Sequence, residues 1–257
     1  MKRENIKEII KEKVEGWIVN IKNALFIAEK DVKIYFLKAP NLIFGIFLPV
    51  VLYFAFAIGR AVEITIAIPG LVAIAMFFGT GAIQSVSLPL ERRTGTFKMV
   101  LSAPLSLSTI MIGKALAGFF YGLLLSSIYS IMVFILIPTF NIIIYIVAIM
   151  FSSFLFSAFG LLLSVPFRDI PQAMPPAIVV RIAMVFLCGV FVPVDTMPLI
   201  MQIIAYFLPL TYSVDVLRWA INGEFIISML FINLGIQILF ILFFIIASIK
   251  LLKKLIQ

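Results

Sequence analysis

Glu91-Arg92-Arg93-Thr94-Gly95-Thr96-Phe97-Lys98-Met99-Val100-Leu101-Ser102-Ala103-Pro104, running on to Gly113-Lys114, is the only well-charged internal loop of a 257-residue chain. An apolar run precedes it, Ile64–Leu90, and another follows, Ala115–Ile137. Each exceeds the roughly 20 residues that a helix needs to cross a bilayer. The loop therefore joins two membrane spans. Working outward, four more stretches pass the same test: Asn41–Gly59, Ile142–Phe167, Ala173–Val194 and Phe225–Ile249. Their apolar runs are continuous and lack the alternation of a barrel wall. The fold class is an all-α membrane protein with six transmembrane helices. The second and fourth spans are longer than a rise of about 1.5 Å per residue requires, which predicts tilt or projection past the membrane.

Composition leads to the same class. The chain is 63% hydrophobic and 12% charged, against about 25% charged in soluble domains. It holds no histidine, the usual general base, and a single cysteine, Cys188, so neither a disulfide framework nor a metal site is expected within it. The net charge of +8 is concentrated at the membrane edges, which argues against a nucleic-acid partner. Nine Lys and Arg precede Asn41, four lie in the loop at 91–114, Arg168 and Arg181 flank or enter the fifth span, and Lys250, Lys253 and Lys254 close the chain. Only Arg60 and Arg218 fall on the other side. This bias predicts a multi-pass protein of the plasma or inner membrane with both termini in the cytoplasm. The polar, basic first forty residues lack the apolar core of a cleavable signal peptide.

Residues 1–40 read as a cytosolic amphipathic helix and lead-in, and 41–257 as the six-span domain. Ile6, Ile10, Val14, Trp17, Ile18, Ile21, Leu25 and Ala28 recur at spacings of three and four, with lysines mostly on the other faces. This pattern suits a helix lying in the inner interface of the bilayer, with Trp17, Ile18 and Ile21 as its anchors. The segment 195–218, between spans five and six, is apolar but broken by Pro198 and Pro209, with Pro193 just before it. Short re-entrant outer helices are expected there.

No catalytic motif is present. Gly113-Lys114 lacks the upstream glycine of a phosphate-binding loop, so the chain is not expected to hydrolyse ATP, and no Gly-x-Ser-x-Gly elbow occurs. A charged, helix-prone loop between two spans is instead what a membrane subunit offers to a soluble motor. Glu91 is placed near a helix start, where the dipole would favour it. Gly95 allows a tight bend. Thr96–Leu101 forms a short helix stopped before Pro104. Phe97, Met99 and Val100 would then offer an apolar knob to a groove.

Glu91-Arg92-Arg93-Thr94-Gly95-Thr96-Phe97, then Leu101 and Ala103-Pro104, resembles the cytosolic-loop signature of the ABC type-2 exporter permeases. Gly189, Pro193, Met197-Pro198, Pro209-Leu210-Thr211-Tyr212, Asp215 and Arg218 are similar to that family's run after its fifth span. Phe97 replaces the usual Leu, Cys188 a common Ser, and Leu208 a common Asn. The resemblance covers nearly the whole chain. It implies a second permease subunit, in a homodimer or a heterodimer, and two cytosolic ABC ATPase subunits that carry ATP and Mg, with no cofactor in this chain. It also implies a coupling helix in the loop, with Glu91, Arg92, Gly95, Thr96, Phe97, Leu101 and Pro104 serving the coupling. Outer helices built on Pro198, Pro209, Tyr212, Asp215 and Arg218 would cap the path.

Arg181 lies inside the fifth span. With a helix start at Pro175–Pro176 it would sit about 9 Å deep, from where it snorkels or pairs between helices, or lines a dimer seam or transport path. Gln84 and Ser85 are polar within the second span, and either bond across helices or face the path. Asp215 and Arg218, three apart, are expected to pair and to fix the outer helices. The function expected is export of an amphipathic drug-like or lipid-linked molecule. The alternatives are a polysaccharide- or glycolipid-exporting permease and an ion-coupled secondary transporter.

Overall fold

The computed structural model describes residues 16, 19–57, 64–137, 140–223 and 226–256. Trp17 and Ile18, the earlier part of the proposed interface stripe, and Arg60 fall outside them. The described residues are helical, with no strand. In chain order the helices are α1 (Val19–Phe36, closing in a π-turn at Val32–Phe36), α2 (Ala39–Ala57), α3 (Ile64–Thr94), α4 (Thr96–Ser102) and α5 (Leu107–Leu136). After these come α6 (Ile142–Ser164), α7 (Ile170–Leu187), α8 (Leu199–Tyr206), α9 (Pro209–Asn222) and α10 (Ile227–Ile256).

Five of these, α3, α5, α6, α7 and α10, are each long and apolar enough to cross a membrane. The other expected span, α2, passes the same test jointly with α1, which meets it at 89°. Between the fifth and sixth spans, α8 and α9 form a pair bent by 93°. Pro209 opens α9, and Gly223, at φ +74°, closes it.

The described residues thus hold five single membrane-capable helices, or up to seven spans if each bent pair is one, in keeping with a multi-span plan whose boundaries shift. The third span begins at Leu107 because the Ser106 side chain caps it by accepting from the Thr109 N–H. The fourth ends at Ser164, short of the expected Phe167. The loop expected over 91–114 thus contracts, because Glu91–Thr94 finish α3 and Leu107 onward belongs to α5.

The core forms around α3. Nearly nine-tenths of its apolar window is buried, against about a third for α5, α7 and α10. It packs on α2, α5, α6, α7 and α9. Its sequence suits that place, because glycines, alanines and serines let neighbouring helices approach closely. The aromatic rings stack mainly within this core, with Phe77 against Phe156 and Phe159, and Phe159 against Phe244. Long apolar side chains such as Ile131, Ile135, Leu239 and Phe243 face outward, as lipid requires.

The apolar stripe of α1 divides. Ala24, Ile27 and Ala28 are buried, while Ile21, Leu25 and Phe26 are exposed. The close approach of α1 to α5 depends on Gly113, where an added Cβ would lie 2.7 Å from the Ala24 carbonyl oxygen and 2.9 Å from the Ile27 Cβ. Gly113→Val should therefore lift α1 off α5 at a cost of about 1–3 kcal/mol. The check is a lowered melting point in detergent together with faster protease cleavage around α1.

Candidate functional site

The charged turn after α3 is built in three steps. Gly95 adopts φ +78°, a left-handed conformation that side-chain-bearing residues rarely take, and this ends α3 and starts α4 at once. The Thr94 hydroxyl bonds the Leu90 carbonyl and meets the Thr96 hydroxyl at 2.9 Å, stitching the two helices across the bend. Ala103, extended before Pro104, then stops α4.

Phe97 does not join the exposed surface expected of it. It is buried among Leu88, Met111, Leu161, Val165 and Leu252, with the Arg92 guanidinium 5.6 Å from its ring centre. Leu101, four residues on, packs against the same cluster. The exposed apolar residue of α4 is Met99, 73% accessible, beside exposed Lys98. Phe97 fastens α4, and Met99 is what α4 presents.

Arg92 secures the turn from the side. Its Nη1 donates to the Val165 carbonyl at 2.7 Å and the Phe167 carbonyl at 2.6 Å, just past the C-terminus of α6, where a cation is favoured.

Glu91 lies in the last helical turn before Gly95, the negative end of the α3 dipole, and not at a helix start. Two lysines offset the clash. Lys114 Nζ is 2.6 Å from Glu91 Oε2 and donates to Asp31 Oδ2 at 3.0 Å. Lys30 Nζ donates to Glu91 Oε1 at 2.8 Å and is 2.9 Å from Asp31 Oδ1. The four charges close a ring across α1, α3 and α5. Glu91, Lys114 and Asp31 are at most 1% exposed, and Lys30, one-third exposed, is its solvent edge. Two of the four contacts are hydrogen bonds, while Asp31 Oδ1 and Glu91 Oε2 meet their lysines off the hydrogen-bond angle. Burial alone would lower the Lys30 ammonium, but Asp31 and Glu91 outweigh it and hold it above its ordinary value. A raised lysine contributes stability that is complete below its ordinary pKa of about 10.4 and is lost only as pH climbs through the folded value. The Lys30 charge is therefore constant across neutral pH.

Sequence reasoning placed Glu91 in the site but missed Asp31, Lys30 and Lys114. The available signal was the position of Lys114, eight residues inside an apolar helix.

Gln84 and Arg181 also turn inward. Gln84 Nε2 donates to the Lys114 carbonyl at 3.1 Å, joining α3 to α5. Arg181 is 2% exposed. It donates to the Ala177 carbonyl at 2.8 Å and across to Ser85 Oγ on α3 at 3.1 Å. Because α7 starts at Ile170, not Pro175, Arg181 is about 17 Å along the helix, and it bonds between helices and does not snorkel.

The opposite end is fixed by bonds to backbone. Thr211 Oγ1 donates to the Ala205 carbonyl at 2.6 Å, and the Tyr212 hydroxyl donates to the Tyr206 carbonyl. Both bonds brace α9 against α8. Arg218 feels the charge of Asp215 but makes no ion-pair contact with it. It donates instead to the carbonyl of Gly189, at 2.7 Å, in the turn after α7. Among the described residues no group of three His, Cys, Asp or Glu could hold a metal ion.

Lys114→Met leaves two buried carboxylates facing Lys30 alone. It should destabilise the fold by about 3–5 kcal/mol, while Lys30→Met should cost clearly less because Lys30 reaches solvent. Melting of the two variants in detergent checks the order, and equal shifts would contradict the ring.

No curated protein matches the chain. The family described as ABC-2 type transporter matches residues 30–222, which takes in the ring, the α4 turn, helices α2, α3, α5, α6 and α7, and the α8–α9 pair. That match covers well over half of the chain, and the helical membrane architecture agrees with it, so the chain belongs to the ABC-2 type transporter family and is a membrane-spanning permease component.

Proposed function

We propose that this chain is the permease subunit of an ATP-driven exporter, working with two separate ATPase subunits and a second copy of itself. ATP and Mg are held by the ATPases. The basic end faces the cytoplasm of a cell whose plasma or inner membrane the chain spans, both termini lie on that side, and α8–α9 form the outer cap. The cargo is an amphipathic drug-like or lipid-linked molecule, in keeping with spans that are almost wholly apolar.

The observation that carries this reading is α4, a seven-residue helix fixed at its base by Phe97 and Arg92, with Met99 standing out from it. Such a short, fastened helix suits a groove on a motor. Gly95 and Pro104 set its two ends, Thr96 joins it to α3, and Glu91 ties its base to α1. Of the interface helix read over residues 1–40, α1 is the part the structure describes. Its right angle to α2, and the exposed Ile21, Leu25 and Phe26 beside Lys22, favour a helix lying in the membrane surface. Gln84 and Arg181 are the polar points of the α3–α5–α7 contact that an opening path would uncover. Pro198, Pro209, Tyr212, Asp215 and Arg218 shape the cap.

The test is a mild-detergent pull-down of the tagged chain from its native host, followed by mass spectrometry and a vanadate-sensitive ATPase assay. A nucleotide-binding subunit should co-purify. Met99→Asp, which places a charge on the exposed tip without touching the Phe97 cluster, should weaken its capture about tenfold or more. A chain that purifies without any ATPase and transports under an ion gradient would instead establish a secondary transporter.

A further inference from the structure

Beside α4 a cavity of about 500 Å³ opens between the end of α3, the turn from α6 into α7, and the last turn of α10. Its volume is in the range of small-ligand sites. Four cations face it, Arg92, Arg93, Lys98 and Arg168, against one carboxylate, Asp169. Among the described residues none of the four forms an ion pair. Arg92 and Arg168 are near enough for their charges to oppose each other. Arg92 cannot turn away, because its Nη1 is held by two carbonyls and its guanidinium by the Phe97 ring. The rest of its fork is left for an incoming anion, and a guanidinium fork matches a phosphate.

The other half of the wall is apolar: Phe97, Leu101, Leu255 and Ile256. The last turns of α3 and α10, two membrane-capable helices, bring Arg92, Arg93, Lys253 and Lys254 to this level. In a bilayer crossed by α3 and α10, basic helix ends of this kind lie at the headgroups. A free phosphate or an acidic peptide would satisfy the cations and leave the apolar wall uncovered, whereas an anionic lipid satisfies both. Basic pockets between spanning helices are suited to such headgroups.

We propose that this cavity binds one anionic phospholipid, its phosphate on the Arg92, Arg93 and Arg168 guanidiniums and its acyl stem along Leu101, Leu255 and Ile256. The inference needs only that the chain spans a membrane, and it stands or falls independently of ATP-driven export.

The test uses the full chain alone in a neutral detergent, so no ATPase is involved. Binding is read by native mass spectrometry and by the melting point, with phosphatidylglycerol, phosphatidylcholine and inorganic phosphate as the three probes. Phosphatidylglycerol alone should bind and raise the melting point. Arg93→Gln/Arg168→Gln, which alters exposed side chains, should weaken that binding about 10- to 30-fold. Lys253→Gln/Lys254→Gln removes two charges from the same end but outside the cavity lining, and should change it less than about twofold. An equal response to phosphatidylcholine overturns the proposal. An equal response to inorganic phosphate overturns it in favour of a small-anion site. Equal loss in the two double variants reduces the effect to general surface charge and also overturns it. Unchanged lipid binding in Arg93→Gln/Arg168→Gln, with loss of a co-purifying protein from native membranes, reassigns the cavity as a protein-docking face.

Discussion

Three charges taken out of water at the base of a membrane protein are expensive unless they are satisfied, and the ring that Asp31, Glu91 and Lys114 close with Lys30 at its solvent edge does so only when α1, α3 and α5 meet at one level. Hydrophobic contact between these helices is tolerant of sliding, because one aliphatic surface resembles another in lipid. A closed ring is not tolerant, since a shift of one residue would leave a buried carboxylate facing a hydrocarbon wall. The ring therefore sets the register in which α1 joins the bundle. It does so within one turn of Gly95, so the same interaction fixes the place from which α4 departs. Gly113 lies next to Lys114 and keeps α1 close enough for the lysine to reach Asp31.

From that base, α4 is held at several points around its circumference. Gly95 sets its direction, Phe97 and Leu101 anchor one face to the α3–α5–α6–α10 cluster, and Arg92 bridges to the carbonyls at the end of α6. A seven-residue helix alone in water would be marginal. Here packing and a cation over an aromatic ring make it part of the bundle. A push on Met99 would thus reach α3, α5 and α6 through stiff contacts, and α1 through the ring.

The spans were legible because continuous apolar runs of this length have few other uses, and the bend was legible because a glycine between a long helix and a short one marks a reversal. The direction of Phe97 was readable too. Phe97 and Leu101 are four apart and share one helical face, while Met99 lies on the other, so treating them as one knob ignored a periodicity already present. Pro175 and Pro176 lie inside α7 and do not open it. Bundle neighbours accept prolines inside a membrane helix, and Asp169 with Pro171 in the first turn marks the real start. The ring was not legible from local pattern, because its members lie 30, 31, 91 and 114 along the chain and only the packed bundle brings them together. Arg218 shows the same limit, since its spacing from Asp215 suits a pair, yet the turn at Gly189 offers a closer acceptor.

The two ends of the bundle are secured by different physics. At the basic end the ties are ionic and buried, and breaking one member of such a set costs about 3–5 kcal/mol. At the other end the ties made by Thr211, Tyr212 and Gln237 are neutral side-chain bonds to backbone carbonyls, each worth about 0.5–1.5 kcal/mol. Arg218 adds one charged donor, but its acceptor is the carbonyl of a glycine in a turn and not a carboxylate on a neighbouring helix. These neutral bonds can be exchanged for water singly, without separating opposite charges. A displacement delivered at α4 would therefore leave the ionic base intact and open the helices where their bonds are weakest, around α8 and α9. On the proposed function, rigidity at one end and exchangeable ties at the other would favour opening around α8 and α9 when a motor pushes on α4.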